Sequence, residues 1–226
     1  MAKNNGNFPP DNPIRQLRDE LYVKDYTTGS KAARAWLKQK IEELKGLSST
    51  SITRNGGDRL RTITSPNQLS IGRMYFFAYD PKWKHDEKKL PYYDNFPLIF
   101  PVDLAYSKKD PSKCVGFYGI NFHYLSPRNR FLLLDKLVKA APRSTKGITD
   151  TTKLQLSYYG VLKGAASLEA FKPCFKMYLW TQIRSRFLLI KPTEWDIALY
   201  LPFEEFERAT KHKVWKESNK IIRGQK

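Results

Sequence analysis

Residues 141–192 hold 9 basic side chains against 2 acidic ones, and residues 208–226 hold 7 against 1. The first stretch supplies Arg143, Lys146, Lys153, Lys163, Lys172, Lys176, Arg184 and Arg186, and the second Lys211, Lys213, Lys216, Lys220 and Arg223. Side chains of this kind ion-pair with phosphate oxygens, and each contact releases condensed counterions from a nucleic acid. Lys213, Lys216 and Lys220 recur at i, i+3 and i+7, the spacing that puts them on one face of a helix. Between the two stretches, residues 193–207 carry 5 acidic and no basic residues, although the whole chain is at +18. Charge segregated in this way reads as a positive surface aimed at a polyanion, with an anionic partner protein as the other reading.

Other chemistry finds less support. The three histidines, His85, His123 and His212, lie far apart, without HExxH or paired Cys/His spacing, so no metal site or cofactor is expected. His123 with Asp94 or Asp103 could form an acid–base pair, but a structural histidine at a strand end is the expected reading. Asp80 with Glu87 and Lys89 is the only local set of the metal-dependent nuclease kind. Its glutamate falls in a loop, whereas Mg²⁺ needs carboxylates held on a rigid sheet. Asn55-Gly56-Gly57 lacks the lysine and hydroxyl of a P-loop. No catalytic residue is assigned. Tyr92, Tyr93, Phe117, Tyr118 and Tyr124 could stack on frayed bases but are expected as core. Trp83 stands apart, because Lys82 and Lys84 flank it in a polar loop. It is a candidate contact for a DNA end or a partner protein, with simple packing as the alternative.

The elements that must carry these residues read as α+β. In Met74–Tyr79 apolar groups alternate on both sides, the pattern of a strand buried on two faces. A second strand over Phe96–Leu104 contains Pro97 and Pro101, which predicts an edge position or a bend. A third, Cys114–Leu125, carries Gly116 and Gly119 and predicts a bulge. Ser126-Pro127 then opens a helix. Three bent strands and a following helix predict a small SH3-like barrel in the middle of the chain, with helices on its N- and C-terminal sides.

Residues 1–12 are expected to be disordered, and residues 13–70 to form a helical arm with a basic loop. The arm holds helices over Ile14–Val23 and, capped by Ser30, Lys31–Lys45. Residues 71–226 form the predicted core domain. Its later part predicts helices over Lys153–Leu162, Leu168–Arg184 and Phe203–Asn219, a strand over Arg186–Ile190, and a helix to Tyr200 capped near Thr193. Hydrophobic residues make up 41% of the chain, enough for a packed core. Cys114 and Cys174 show no paired spacing, which fits a reducing compartment, and no secretion signal or membrane span is expected.

Several runs resemble the DNA end protector family of T4-like tailed phages. They are Met74–Phe77 with Tyr79-Asp80-Pro81-Lys82, Leu90–Asp94 with Phe96-Pro97-Leu98, and Gly116–Asn121 with His123-Tyr124-Leu125. Tyr178–Pro202 and Lys213–Ser218 extend the likeness to a little over half the chain. The resemblance implies a non-enzymatic virion protein that shields the ends of packaged linear double-stranded DNA from host exonuclease and completes the head. It implies portal, head or neck proteins as partners, a place in the phage head, and the host cytoplasm during assembly. It brings no catalytic residues with it. A neck or baseplate protein docking an acidic partner through the basic surface is the alternative.

Overall fold

The computed structural model describes residues 13–25, 30–43, 60–63, 65–140 and 172–224. Its centre is a six-stranded antiparallel sheet of β1 (Leu60–Arg61), β2 (Met74–Phe76), β4 (Leu98–Tyr106), β5 (Cys114–Asn121), β6 (Phe175–Leu179) and β7 (Phe187–Ile190). The strand order is β1-β7-β2-β4-β5-β6, and a separate ribbon pairs β3 (Tyr93–Asp94) with β8 (Phe206–Glu207). The sheet is open, with β1 and β6 at its edges, so the predicted barrel is corrected to an open sheet within the α+β class.

The alternation in β2 sorts its neighbours into two cores. Met74 and Phe76 join Leu98, Phe100, Ile120, Leu188 and Ile190 on one face. Helices cover that face: α1 (Pro13–Val23), α2 (Lys31–Glu43), α3 (Pro127–Ala140), α4 (Trp195–Tyr200) and α5 (Lys211–Ile222). Tyr75 and Phe77 point the other way, into a smaller cluster with Tyr79, Phe117, Tyr178 and Phe187. There Phe77 lies 4.6 Å from Phe187 and 5.4 Å from Tyr178 between ring centroids. Such pairs contribute about 0.5–1.5 kcal/mol each beyond area burial.

Both N-terminal helices form where their apolar stripes predict. Ile14, Leu17 and Leu21 of α1 and Ala33 and Leu37 of α2 are buried, and Ser30 Oγ accepts from Ala33 N at 3.0 Å as the cap. Gly116 is required where β5 meets β6, since a Cβ there would lie 2.0 Å from the Tyr178 carbonyl oxygen. Among the described residues no helix is long and apolar enough to cross a membrane.

β4 lies between β2 and β5, and of the two outcomes its prolines predict it takes the bend, at a register shift between Pro101 and Asp103. Two further expectations change. Residues 172–184 form no α-helix: a 3₁₀ turn at Lys172–Cys174 leads into β6, whose ladder to β5 outweighs the helix-like spacing of its aromatics, and a second 3₁₀ turn follows at Trp180–Gln182. The predicted Phe203–Asn219 helix begins only at Lys211, after β8. The N-terminal dozen, the Gly-Gly loop and the helix expected over 153–162 lie outside the described residues.

Candidate nucleic-acid interface

The basic row predicted on the last helix assembles on α5. Thr210 caps it, its hydroxyl accepting from Lys213 N at 3.3 Å. Val214 and Ser218 are buried, and Lys213, Lys216, Lys220 and Arg223 are exposed on the opposite side. At 3.6 residues per turn those four directions span an arc of about 80°. Among the described residues none of the four enters an ion pair. Lys211 differs, because its Nζ lies 3.3 Å from Glu204 Oε1. The first turn of α5 carries Lys211, His212 and Lys213 and no carboxylate. Cations there oppose the helix dipole, so local stability does not explain them.

A groove of about 420 Å³ runs along this row, lined by Ser126, Trp215, Lys216, Asn219, Lys220 and Arg223. Asn129 donates to Asn219 across its base, joining α3 to α5. Exposed Arg128, which the sequence reading missed, sits one residue into α3. Its one signal in sequence was its place after Ser126-Pro127.

The other candidates scatter. Arg143, Lys146, Lys153 and Lys163 lie outside the described residues. Lys172 is exposed at the 3₁₀ turn before β6. Arg186 is exposed at the entrance to β7, and Arg184 beside it pairs with Asp80 at 3.5 Å and donates to Thr181 O at 2.9 Å. Lys176 is half-buried, its ammonium 4.0 Å from the Tyr124 ring centroid. Burial pushes its pKa down from the ordinary lysine value.

The acidic stretch divides between the interior and the surface. Glu204 Oε2 accepts from buried Arg130 at 3.1 Å, Glu194 lies 3.5 Å from Arg18, and Glu207 accepts from Asn95 at 2.8 Å. The Glu194 and Glu204 carboxylates are spent inside the fold, while Glu205 and Glu207 stay exposed.

His123 and Asp94 do meet, at 2.9 Å, and both are buried. Asp94 also accepts from Asn121 Nδ2 at 3.0 Å and from the backbone N–H of Phe96 and Glu205 at 3.1 and 3.3 Å. Trp215 Nε1 donates to the His123 carbonyl at 2.9 Å. The cluster fastens β3, the end of β5 and α5 together, which is a structural histidine's work.

Asp80, Glu87 and Lys89 take separate partners rather than converging. Asp80 accepts from Lys84 at 3.0 Å, and that hydrogen bond holds its pKa down. Glu87 lies 3.7 Å from Arg208, and Lys89 pairs with Asp86 at 2.9 Å. Among the described residues no group of His, Cys, Asp and Glu could hold a metal ion. Trp83 is 48% exposed, and the ammonium groups of Lys82 and Lys89 lie 5.1 and 4.2 Å from its ring centroid.

The searches of curated proteins and of solved structures gave no match. A family model described as "Phage T4 terminal DNA protecting protein" matches residues 16–221, nearly the whole chain, and it takes in the sheet and Lys213, Lys216 and Lys220 of the α5 row. The chain belongs to the Phage T4 terminal DNA protecting protein family.

Proposed function

We propose that this protein binds the ends of linear double-stranded phage DNA, catalyses no reaction on them, and shields them from exonuclease in the filled head. The observation that carries the reading is the row of Lys213, Lys216, Lys220 and Arg223, solvated and unpaired among the described residues, in a chain of an end-protecting family. Phosphate contacts of this sort give affinity without base reading. Lys172, Arg184, Arg186 and, from the segment before β6, Arg143, Lys146, Lys153 and Lys163 extend the contact surface in this account. Bound at the ends of packaged DNA, the protein completes the head and faces portal or neck proteins, having met its DNA in the host cytoplasm during assembly.

Exonuclease challenge tests this reading. Linear duplex preincubated with the protein is expected to resist both 5′- and 3′-directed exonucleases once protein matches the number of ends. Digestion at the rate of bare DNA, despite measurable binding, would contradict it. Stable assembly with portal or neck proteins without any DNA affinity would move the charge to the docking role.

A further inference from the structure

A second concavity lies away from the α5 row. It is a pocket of about 360 Å³ walled by Trp83, Leu90, Tyr93, Tyr124 and Met177, with Lys176 reaching into it. That volume is at the low end of the range for small-molecule sites, roughly 300–1,000 Å³. It holds one nucleotide but not a base pair with its two backbones. The walls are aromatic and apolar, as a stacked base requires.

Its charges suit a nucleotide as well. Among the described residues the Lys176 ammonium has no carboxylate or carbonyl partner, only the face of Tyr124 at 4.0 Å. A half-buried ammonium resting on a ring gains more from a phosphate oxygen, through a charge-assisted hydrogen bond. Lys82 and Lys89 add positive charge at the rim around Trp83. Asp94 borders the pocket, but it accepts from His123, Asn121 and two backbone N–H groups, so its charge is already engaged.

The Trp83 wall is held in place from both sides. Asp80 binds Lys84 at its start. At its end Arg208 donates to Leu90 O at 3.1 Å and to Lys84 O. Arg208 does so from a left-handed backbone, φ 64°, a conformation that persists only where surrounding contacts enforce it.

We propose that this pocket takes the unpaired terminal nucleotide of a DNA end, stacking its base on Trp83 and Tyr93 and pairing its phosphate with Lys176. The inference rests on the end-binding reading and supplies its selectivity. A terminal nucleotide is stacked on one side only, so it leaves the duplex at less cost than an internal one. Continuous duplex would then meet only the general phosphate surface.

The test compares a linear duplex with a dumbbell of the same sequence whose ends are closed by hairpin loops, for the wild type, Trp83→Ala and Lys176→Met. The wild type is expected to prefer the linear duplex by about tenfold, the worth of one stacked base. Both variants should lose that preference and keep the wild-type affinity for the dumbbell. Trp83 is half-exposed, so its variant decides the matter should Lys176→Met fail to fold. For the wild type, a one-nucleotide extension should tighten binding over a blunt end. Variants that still prefer linear DNA as the wild type does would overturn the pocket and leave end binding standing. A wild type that binds both substrates equally would overturn the pocket together with end reading, and one that binds neither would overturn DNA binding itself.

Discussion

Replacing Lys213, Lys216, Lys220 and Arg223 together by glutamine is expected to remove most of the affinity for duplex DNA and leave the fold intact. Each phosphate contact contributes about −0.9 to the slope of log affinity against log salt, so four contacts contribute about −3.6. Wild type and variant should differ in slope by that amount. The wild type's advantage should therefore shrink about 150-fold between 50 and 200 mM salt. All four side chains are exposed on the side of α5 away from Val214 and Ser218, so the melting temperature should change little. Titrations at three or more salt concentrations measure the slope. An unchanged slope would place the DNA elsewhere on the molecule.

The largest stability effect is expected at Glu204. Arg130 is fully buried and donates to Leu125 O at 2.8 Å, to Leu199 O at 2.9 Å and to Glu204 Oε2 at 3.1 Å. These bonds tie α3 to the end of α4 and to the irregular segment before β8. Glu204→Gln leaves the guanidinium buried without its counter-charge, which costs about 3–5 kcal/mol. For a chain of this size that lowers the melting temperature by about 10 °C. Replacing both partners, with Arg130→Met added, should recover part of the loss, because an apolar pair carries no stranded charge.

The same carboxylate sets a pH dependence. Burial acts to raise its pKa, but Arg130, His123 and Lys211 outweigh that and hold it at about 2, below the ordinary 4.5. A depressed carboxylate stabilises the fold fully above its unfolded pKa. That stability, about 3 kcal/mol, is lost as pH falls from about 4.5 through about 2. Glu204→Gln should lack this part of the acid sensitivity. Denaturant midpoints at pH 7 and pH 3 measure both effects, and equal wild-type and variant midpoints at pH 7 would contradict the account.

Features that one helix or strand decides alone were legible in the sequence. The spacing of Lys213, Lys216 and Lys220 needs only the 3.6-residue period, and the two-sided burial of Met74–Phe77 needs only the alternation of a strand. Features set by distant pairing were hidden. Phe175, Tyr178 and Leu179 satisfy helical spacing, and only the ladder of β6 to β5 makes that segment a strand. Pro101 reads as either an edge or a bend, and only the pairing of β4 with both β2 and β5 selects the bend. Open sheet and closed barrel differ in whether the first and last strands meet, which no local pattern encodes.

The candidate site divides in the same way. The α5 row could be read directly, whereas only the fold shows that Glu194 and Glu204 of the acidic stretch are counter-charges of Arg18, Arg130 and Lys211. Trp83 stood out by its lysine neighbours. Its closest cation, however, is Lys89, brought over the ring by the fold of the 82–89 loop. Lys176 was expected on the surface with the other phosphate contacts, and the strand pairing of β6 instead turns it into the aromatic pocket.

End recognition is tested most directly by competition. A labelled linear duplex would be bound at two salt concentrations with EDTA present, then challenged with unlabelled linear or closed-circular DNA of equal mass. The account predicts that linear DNA competes far better, and better still when the same mass is cut into shorter pieces. Equal competition by linear and closed-circular DNA would contradict it.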